Sequence, residues 1–590
     1  MTRFAQAPSF AFRSLSGVGF ALAVLGCGAS SPNTRDGAGG APSSTGGSSS
    51  GGTTPSVGLA GSGSGAGASW ATDDSAGHTG IGSDTGGGGG AGTSGASGGA
   101  GGNAVTAGNA GSAGSAPALT LPPLVTSAPG AYWKTDGGYT ESTAATADVT
   151  VNDTAIAQRW DGFGAAFNEQ GWAALTSAEL QQQAVKLLFS PSDGAAFTWG
   201  RIPIGANDYA VSRYTEDDTG DDVAPDATES NRPAADPTLS KFSLARDDEK
   251  LVPYVKAALA VKPNLRFWAS PWSPPVWMKT GFRKADAGAM VKKFSYFDGG
   301  SMRSDEAVLA AYAQYFTKFV QGYQTRGIAI ELVAPQEEPS YEQGYPSCLW
   351  DKATYVKFVG QFLGPAMKII GVKVMLGALA DADKDFALAT AVLDDSAAKS
   401  FSTLVGAQWG LLSWDIKITT LNTTLPVWAT EHQGGNYPWN PSGFPPYQSS
   451  YAPNDQAYGV ESWGRIRDAI IKAKVTSYDA WNLVLDKYGW SIDTTRQWAQ
   501  NALLVADSGT LTATPAYYVF RHLSQYVAPG AVVLGTTGGD ALAFKNPNGS
   551  LVAVVFNSGP ANDHYVVAIG AKKLAFAMPS NGWATLQLEP

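Results

Sequence analysis

Two glutamates can be read chemically before any fold is considered. Glu338 stands in Gln336-Glu337-Glu338-Pro339 and Glu431 in Thr430-Glu431-His432, each directly after a short apolar run. Such runs form strands buried on both faces, so both carboxylates fall at strand ends. A pair of carboxylates held across one cleft can divide the work at an acetal carbon. One protonates the leaving oxygen, and the other attacks the carbon or activates water. At a separation of about 5 Å the second attacks directly, and the product keeps its anomeric configuration. The two environments must then differ. Neighbouring negative charge is expected to keep Glu338 protonated, and a donor such as Arg201 to keep Glu431 ionised.

Other polar and aromatic residues fall at comparable places. Asp208 follows the run that carries Arg201, Trp272 lies in Ser270-Pro271-Trp272-Ser273-Pro274-Pro275, and Trp481-Asn482 sits in the last run. One strand-end carboxylate alone reads as a surface salt bridge. Two, with an arginine and two tryptophans in the same ring, read as a site. The elements that must position them are eight apolar runs, at 160–167, 197–204, 264–270, 329–335, 372–379, 403–409, 425–431 and 478–485. Helical patterns lie between them at 177–189, 248–261, 305–326, 353–370 and 455–473, with Ser177 as an N-cap and Gly327 as a terminator. The alternation predicts an α/β fold, a (β/α)8 TIM barrel whose chemistry lies at the C-terminal strand ends. Beyond it, short runs at 531–533, 541–545, 551–557, 565–570 and 583–588 are separated by turn signals such as Asn546-Pro547-Asn548-Gly549. The stretch 132–153 is also strand-like and is expected to join them, giving a side β-sandwich built from both ends of the catalytic region.

The start of the chain reads differently. Arg3 and Arg13 precede a short apolar stretch that ends in Val24-Leu25-Gly26-Cys27, similar to a bacterial lipobox apart from Leu25. The expectation is a signal peptide over 1–27 with lipid on Cys27, and hence an exported chain anchored at the cell envelope or outer surface. Residues 28–118 are nearly all Gly, Ala, Ser and Thr and read as a flexible tether. The organisation expected beyond it is sandwich strands at 119–159, the barrel at 160–505 and the rest of the sandwich at 506–590. With a net charge of −10 and no Lys/Arg cluster, the chain lacks the footprint of a nucleic-acid binder. The four histidines, His78, His432, His522 and His564, have no metal-ligand spacing, so neither metal nor cofactor is expected. Only Cys348 accompanies Cys27, so no disulfide framework is foreseen. Gly162-Phe163-Gly164-Ala165-Ala166-Phe167 half-matches a dinucleotide loop but lacks its third small residue.

Six stretches, 160–167, 269–280, 344–349, 363–365, 481–483 and 514–518, resemble glycoside hydrolase family 30, on the branch of glucosylceramidases and β-1,6-glucanases. The similarity runs in order over about 140–590. It implies a TIM barrel with a side β-sandwich and a retaining hydrolase of an oligosaccharide, polysaccharide or glycolipid. The family's Asn-Glu-Pro motif falls on Glu337-Glu338-Pro339, implying Glu338 as acid/base, and its nucleophile motif on Thr430-Glu431. Its sugar-binding Arg and Asp fall on Arg201 and Asp208, and its subsite aromatics on Trp272 and Trp481. Asn482 completes the expected sugar contacts.

Three positions depart from the pattern. The family's Asn is Glu337, and its His-Trp-Tyr on the sixth strand is Gln408-Trp409-Gly410. An ionised carboxylate only accepts hydrogen bonds. Glu337 is therefore expected either to meet a different 2-substituent, such as a cationic 2-amino group, or to be protonated or turned away. The alternative to an enzyme is a weakened or inactive surface protein that binds carbohydrate on the same fold. The stretch 436–455, with Trp439, Phe444 and Tyr447, is expected to wall one side of the cleft.

Overall fold

The computed structural model describes residues 124–218, 232–282, 295–381, 383–412, 416–431, 456–493 and 502–590. The expected signal segment, Cys27, the tether, the insertion at 436–455, and His78 and His432 lie outside the described residues.

All eight foreseen strands form: β1 (Gly162–Ala166), β2 (Trp199–Ile204), β3 (Arg266–Pro271), β4 (Ile330–Val333), β5 (Lys373–Leu379), β6 (Ser402–Gln408), β7 (Val427–Glu431) and β8 (Ser477–Asp486). Each pairs in parallel with the next, and β8 returns to β1, so the sheet is a closed barrel. β2 is buried along its whole length and β8 up to its last residue, as barrel walls require. Successive side chains alternate between faces. Phe267, Ala269, Val405 and Ala429 join the large outer core, while Trp199, Trp268, Leu332, Met375, Leu404 and Trp428 form a separate cluster inside the barrel. The same alternation places Arg201 two residues beyond Trp199, Ser270 beyond Trp268, and Gln408 four beyond Leu404. The site thus stands on an aromatic floor.

The foreseen helices cover the outside. Ser177 caps Ala178–Phe189 by accepting the Leu180 amide at 3.2 Å. The expected helix at 353–370 is three segments, Lys352–Lys357, a wider turn over Phe358–Leu363, and Gly364–Ile369. A Cβ at Gly364 would lie 2.3 Å from the Phe401 ring, so glycine permits this close packing. A strand at Ala502–Asp507 extends β8 in parallel and turns back through Thr510–Ala513. The expected boundary at 505 falls inside that strand.

The second sheet has ten strands. Leu124–Ala128, Ala131–Gly137, Thr140–Glu141 and Val149–Arg159 from before the barrel interleave with six strands from after it. Residues from both ends, including Leu124, Val149, Val151, Ala553, Val567 and Leu586, share one core. Of the C-terminal strands, Lys572–Met578 was not foreseen. No helix among the described residues is long and apolar enough to cross a membrane.

Candidate active site

Arg201, at the centre of the barrel mouth, is completely buried. Its Nη1 donates to Glu431 Oε2 at 2.6 Å, its Nη2 donates to Glu337 Oε2, and its Nε and Nη2 reach Ser270 Oγ at 3.3 and 3.2 Å. The guanidinium also lies 4.9, 4.4 and 5.3 Å from the ring centres of Trp268, Trp272 and Trp481. Burial works against its charge, but Glu337 and Glu431 outweigh that and raise its pKa. One cation therefore serves two carboxylates.

Glu431 closes β7. Besides Arg201 it accepts the Trp409 indole N–H on Oε1 at 2.8 Å. Trp409 has a φ of +41°, a left-handed conformation that costs a bulky residue free energy, about 1–3 kcal/mol. Burial pushes Glu337 well above the usual carboxylate range; Arg201 opposes this, Glu431 and Glu338 add repulsion, and the bond from Gln408 lowers it again.

Glu337 and Glu338 follow β4 and continue its place in the sheet. The Glu337 amide donates to Pro271 O at 2.9 Å and the Glu338 amide to Ala378 O at 3.0 Å, stitching both to the ends of β3 and β5. Gln336 fixes this peptide by donating to Trp272 O at 2.7 Å and Glu337 O at 2.9 Å. Glu338 has a φ of +42°. Its Oε2 accepts from Gln343 Nε2 and Tyr345 Oη, both at 3.3 Å. The loop that carries these donors is held by Arg213, which pairs with Asp298 at 2.8 Å and donates to Gly344 O.

The remaining expected residues occupy the same end of the barrel. Trp272 and Trp481 stack with ring centres 5.7 Å apart and an 18° tilt. Asp208 lies in the loop after β2, and its carbonyl accepts the Ile492 amide, linking that loop to the one after β8. Asn482 Oδ1 accepts from Asn168, whose own Oδ1 caps Glu169–Ala174, and Asn482 Nδ2 has no protein partner. Gln408 Nε2 donates to Glu337 Oε1 at 2.6 Å, and Thr430 Oγ1 donates to Gln408 Oε1 at 3.1 Å. Two of the three departures from the family pattern thus touch one another.

Both oxygens of Glu337 have protein donors, and its charge faces Arg201. The expectation of a cationic 2-amino group rested on an unmatched charge at this position, and the pairing with Arg201 removes that basis. Sequence reasoning missed Gln343, Tyr345, Trp409, Ser270 and Asp479. Burial pushes Asp479, which accepts the Trp268 indole N–H at 2.7 Å beneath Arg201, up to about 7. Of these, Ser270, Tyr345 and Trp409 lay in stretches already noted; Gln343 and Asp479 had no motif to mark their contacts. Among the described residues no group of three His, Cys, Asp or Glu is arranged to hold a metal ion.

A closed parallel barrel with paired carboxylates, an arginine and stacked tryptophans at its C-terminal mouth defines a class, the barrel glycoside hydrolases. Residues 160–527 match the glycosyl hydrolase family 30 TIM-barrel domain, and 530–586 match the family 30 beta sandwich domain. The chain belongs to glycoside hydrolase family 30 and is a glycoside hydrolase. An endo-1,6-beta-D-glucanase of Aspergillus fumigatus is 25% identical over 454 residues, covering 73% of this chain and 85% of the relative. The lysosomal acid glucosylceramidase of Mus musculus is 25% identical over 432 residues, covering 68% and 75%. Among solved structures, the endo-beta1,6-glucanase BT3312 has the same fold, with a TM-score of 0.63 at 23% identity over 79% of this chain and 98% of that one.

Proposed function

We propose that the protein hydrolyses a β-linked glucan, or a related β-glycoside, by double displacement, with Glu431 as nucleophile and Glu338 as acid/base. The observation that carries this is the contrast between their partners. Glu431 is held by a buried guanidinium at 2.6 Å and an indole N–H at 2.8 Å, donors that favour the ionised form. Glu338 accepts from two neutral donors, Gln343 and Tyr345, both at 3.3 Å.

In the first step Glu431 attacks the anomeric carbon while Glu338 gives its proton to the departing oxygen. The sugar is left as an ester on Glu431. In the second, Glu338 takes a proton from water, the water oxygen displaces Glu431, and the configuration is retained. Trp272 and Trp481 provide flat surfaces for the ring, and Asp208 and Asn482 polar groups for its hydroxyls. Arg201 compensates the charge on Glu431 throughout. The relatives named as endo-1,6-beta-D-glucanases make β-1,6-glucan the first polymer to try, with glucosylceramide next. Export through residues 1–27 and anchoring by lipid on Cys27 belong to the same proposal; Cys27→Ser should release the protein from the membrane fraction.

The test is turnover of aryl β-glucoside, β-xyloside and β-glucosaminide and of β-1,6-glucan by the full chain and by Glu431→Gln. Turnover lost in the variant, with the β-anomer as the first product seen by NMR, supports the reading. A first-formed α-anomer, or a variant as active as the parent, overturns it.

A further inference from the structure

Arg201, Glu337, Gln408, Thr430 and Glu431 form a closed ring. Arg201 Nη1 holds Glu431 and Nη2 holds Glu337, Gln408 holds the other oxygen of Glu337, Thr430 holds Gln408, and Thr430 is bonded to Glu431 through the chain. Every member is at most 5% exposed.

We infer that Glu337 is a positioning residue that divides the Arg201 guanidinium with Glu431, so that its charge, rather than any contact with the sugar, sets the pH range in which Glu431 and Glu338 work. This rests on the proposed roles of those two residues. Among the described residues, the charged groups facing the ring are Arg201 from β2, Glu338 beside Glu337, Glu431 from β7 and Asp479 from β8. Ser270 from β3 and Gln408 from β6 are neutral, and β5 offers the Ala378 carbonyl. Both Glu337 oxygens accept from donors, Arg201 and Gln408, and this pairing holds the carboxylate ionised against its burial. So charged, it does two things. It draws off part of the attraction that would otherwise keep Glu431 ionised, and it repels the charged form of Glu338. Both push the working range upward.

Glu337→Gln keeps the shape and removes the charge. Arg201 then serves Glu431 alone, and Glu338 loses its like-charged neighbour. Both limbs of the kcat/KM profile against pH should move down by about one unit. At a pH on the alkaline limb the rate should fall about tenfold, with recovery at lower pH. Glu337→Asp, which keeps the charge, should hold the limbs in place. A role limited to reading the sugar would raise KM in Glu337→Gln and leave both limbs unmoved, which overturns the proposal. Equal loss of activity in both variants at an unchanged melting temperature also overturns it, because shape rather than charge would then govern. A wrong nucleophile shows up separately, as turnover retained in Glu431→Gln.

Discussion

The barrel mouth and the seam between barrel and sandwich both bury titratable side chains, but they do so in opposite ways. At the seam, His522 has one ring nitrogen 2.7 Å from Thr585 Oγ1 and the other 2.8 Å from Ser127 Oγ, beside the Trp133 ring. Each ring nitrogen has a neutral partner, so the imidazole is held uncharged. At the mouth, two glutamates share one guanidinium and an aspartate lies below. A buried network whose members are all satisfied gives rigidity. One with more anions than cations stores a preference for whichever charge arrives next, and a glycosyl cation in formation is such a charge.

The largest expected effect separates the mouth from the seam by chemistry. Glu338→Ala should lower kcat by about 10²–10⁴-fold on substrates whose leaving group needs a proton. The loss should be much smaller for an aryl leaving group that departs unprotonated. Equal losses on both would remove Glu338 from the proton-donor role and with it the chemical side of the contrast. Arg201→Met tests the electrostatic side. Removing the cation leaves Glu337 and Glu431 buried without it, at a cost of about 3–5 kcal/mol. The sign follows from their protonation. Without Arg201 both would have folded-state pKa values above the unfolded ones, so the deficit is full at neutral pH and fades as pH falls towards the unfolded carboxylate value. Thermal melts at pH 5 and 7.5 should show the gap between variant and parent narrowing in acid.

The seam makes the reverse prediction. Burial pushes His522 down to about 3 from an ordinary 6.5, with Arg521 adding repulsion. A group whose folded pKa is depressed contributes stability that is full above 6.5 and is lost as pH falls towards 3. By pH 5 the loss is about 2 kcal/mol. His522→Gln removes this titration, so its melting temperature should fall less between pH 8 and 5 than the parent's. Parallel curves would mean that His522 carries no net proton linkage and that the seam is not the neutral network described above.

How much of this was legible beforehand depends on sequence separation. The strands announced themselves, since runs such as Trp199–Ile204 and Ser477–Asp486 are mostly apolar and are buried on both faces. The two ends of the catalytic region share a sheet, as their alternating patterns implied. The contacts that define the site were hidden because they join distant residues: Arg201 and Glu337 are 136 positions apart, Glu337 and Gln408 71. Glu337 and Gln408 were visible as two separate departures, and only the fold makes them one hydrogen-bonded unit. The left-handed backbone at Glu338 and Trp409 was unreadable because neither residue favours it. The break at Phe358–Leu363 hid inside a continuous helical pattern, next to the close pass of Phe401 over Gly364.

The smallest effect bears on the rim of the site, where the two kinds of burial meet. Tyr345 packs with Trp272 and Trp481 and donates to Glu338 from 3.3 Å. Tyr345→Phe keeps the packing and removes the donor. A hydrogen bond of that length to a carboxylate contributes on the order of 1 kcal/mol or less, so kcat should fall only about two- to fivefold. The direction of the pH effect says more than its size. A donor favours the charged form of the carboxyl it faces, so its loss raises the pKa of Glu338 and moves the alkaline limb up. That is the opposite of the shift expected for Glu337→Gln. If both substitutions move the limb the same way, Glu338 is not the group titrating there. If they move it in opposite directions, the limb belongs to Glu338, and Glu337 and Tyr345 tune it from two sides, one by charge and one by a neutral hydrogen bond.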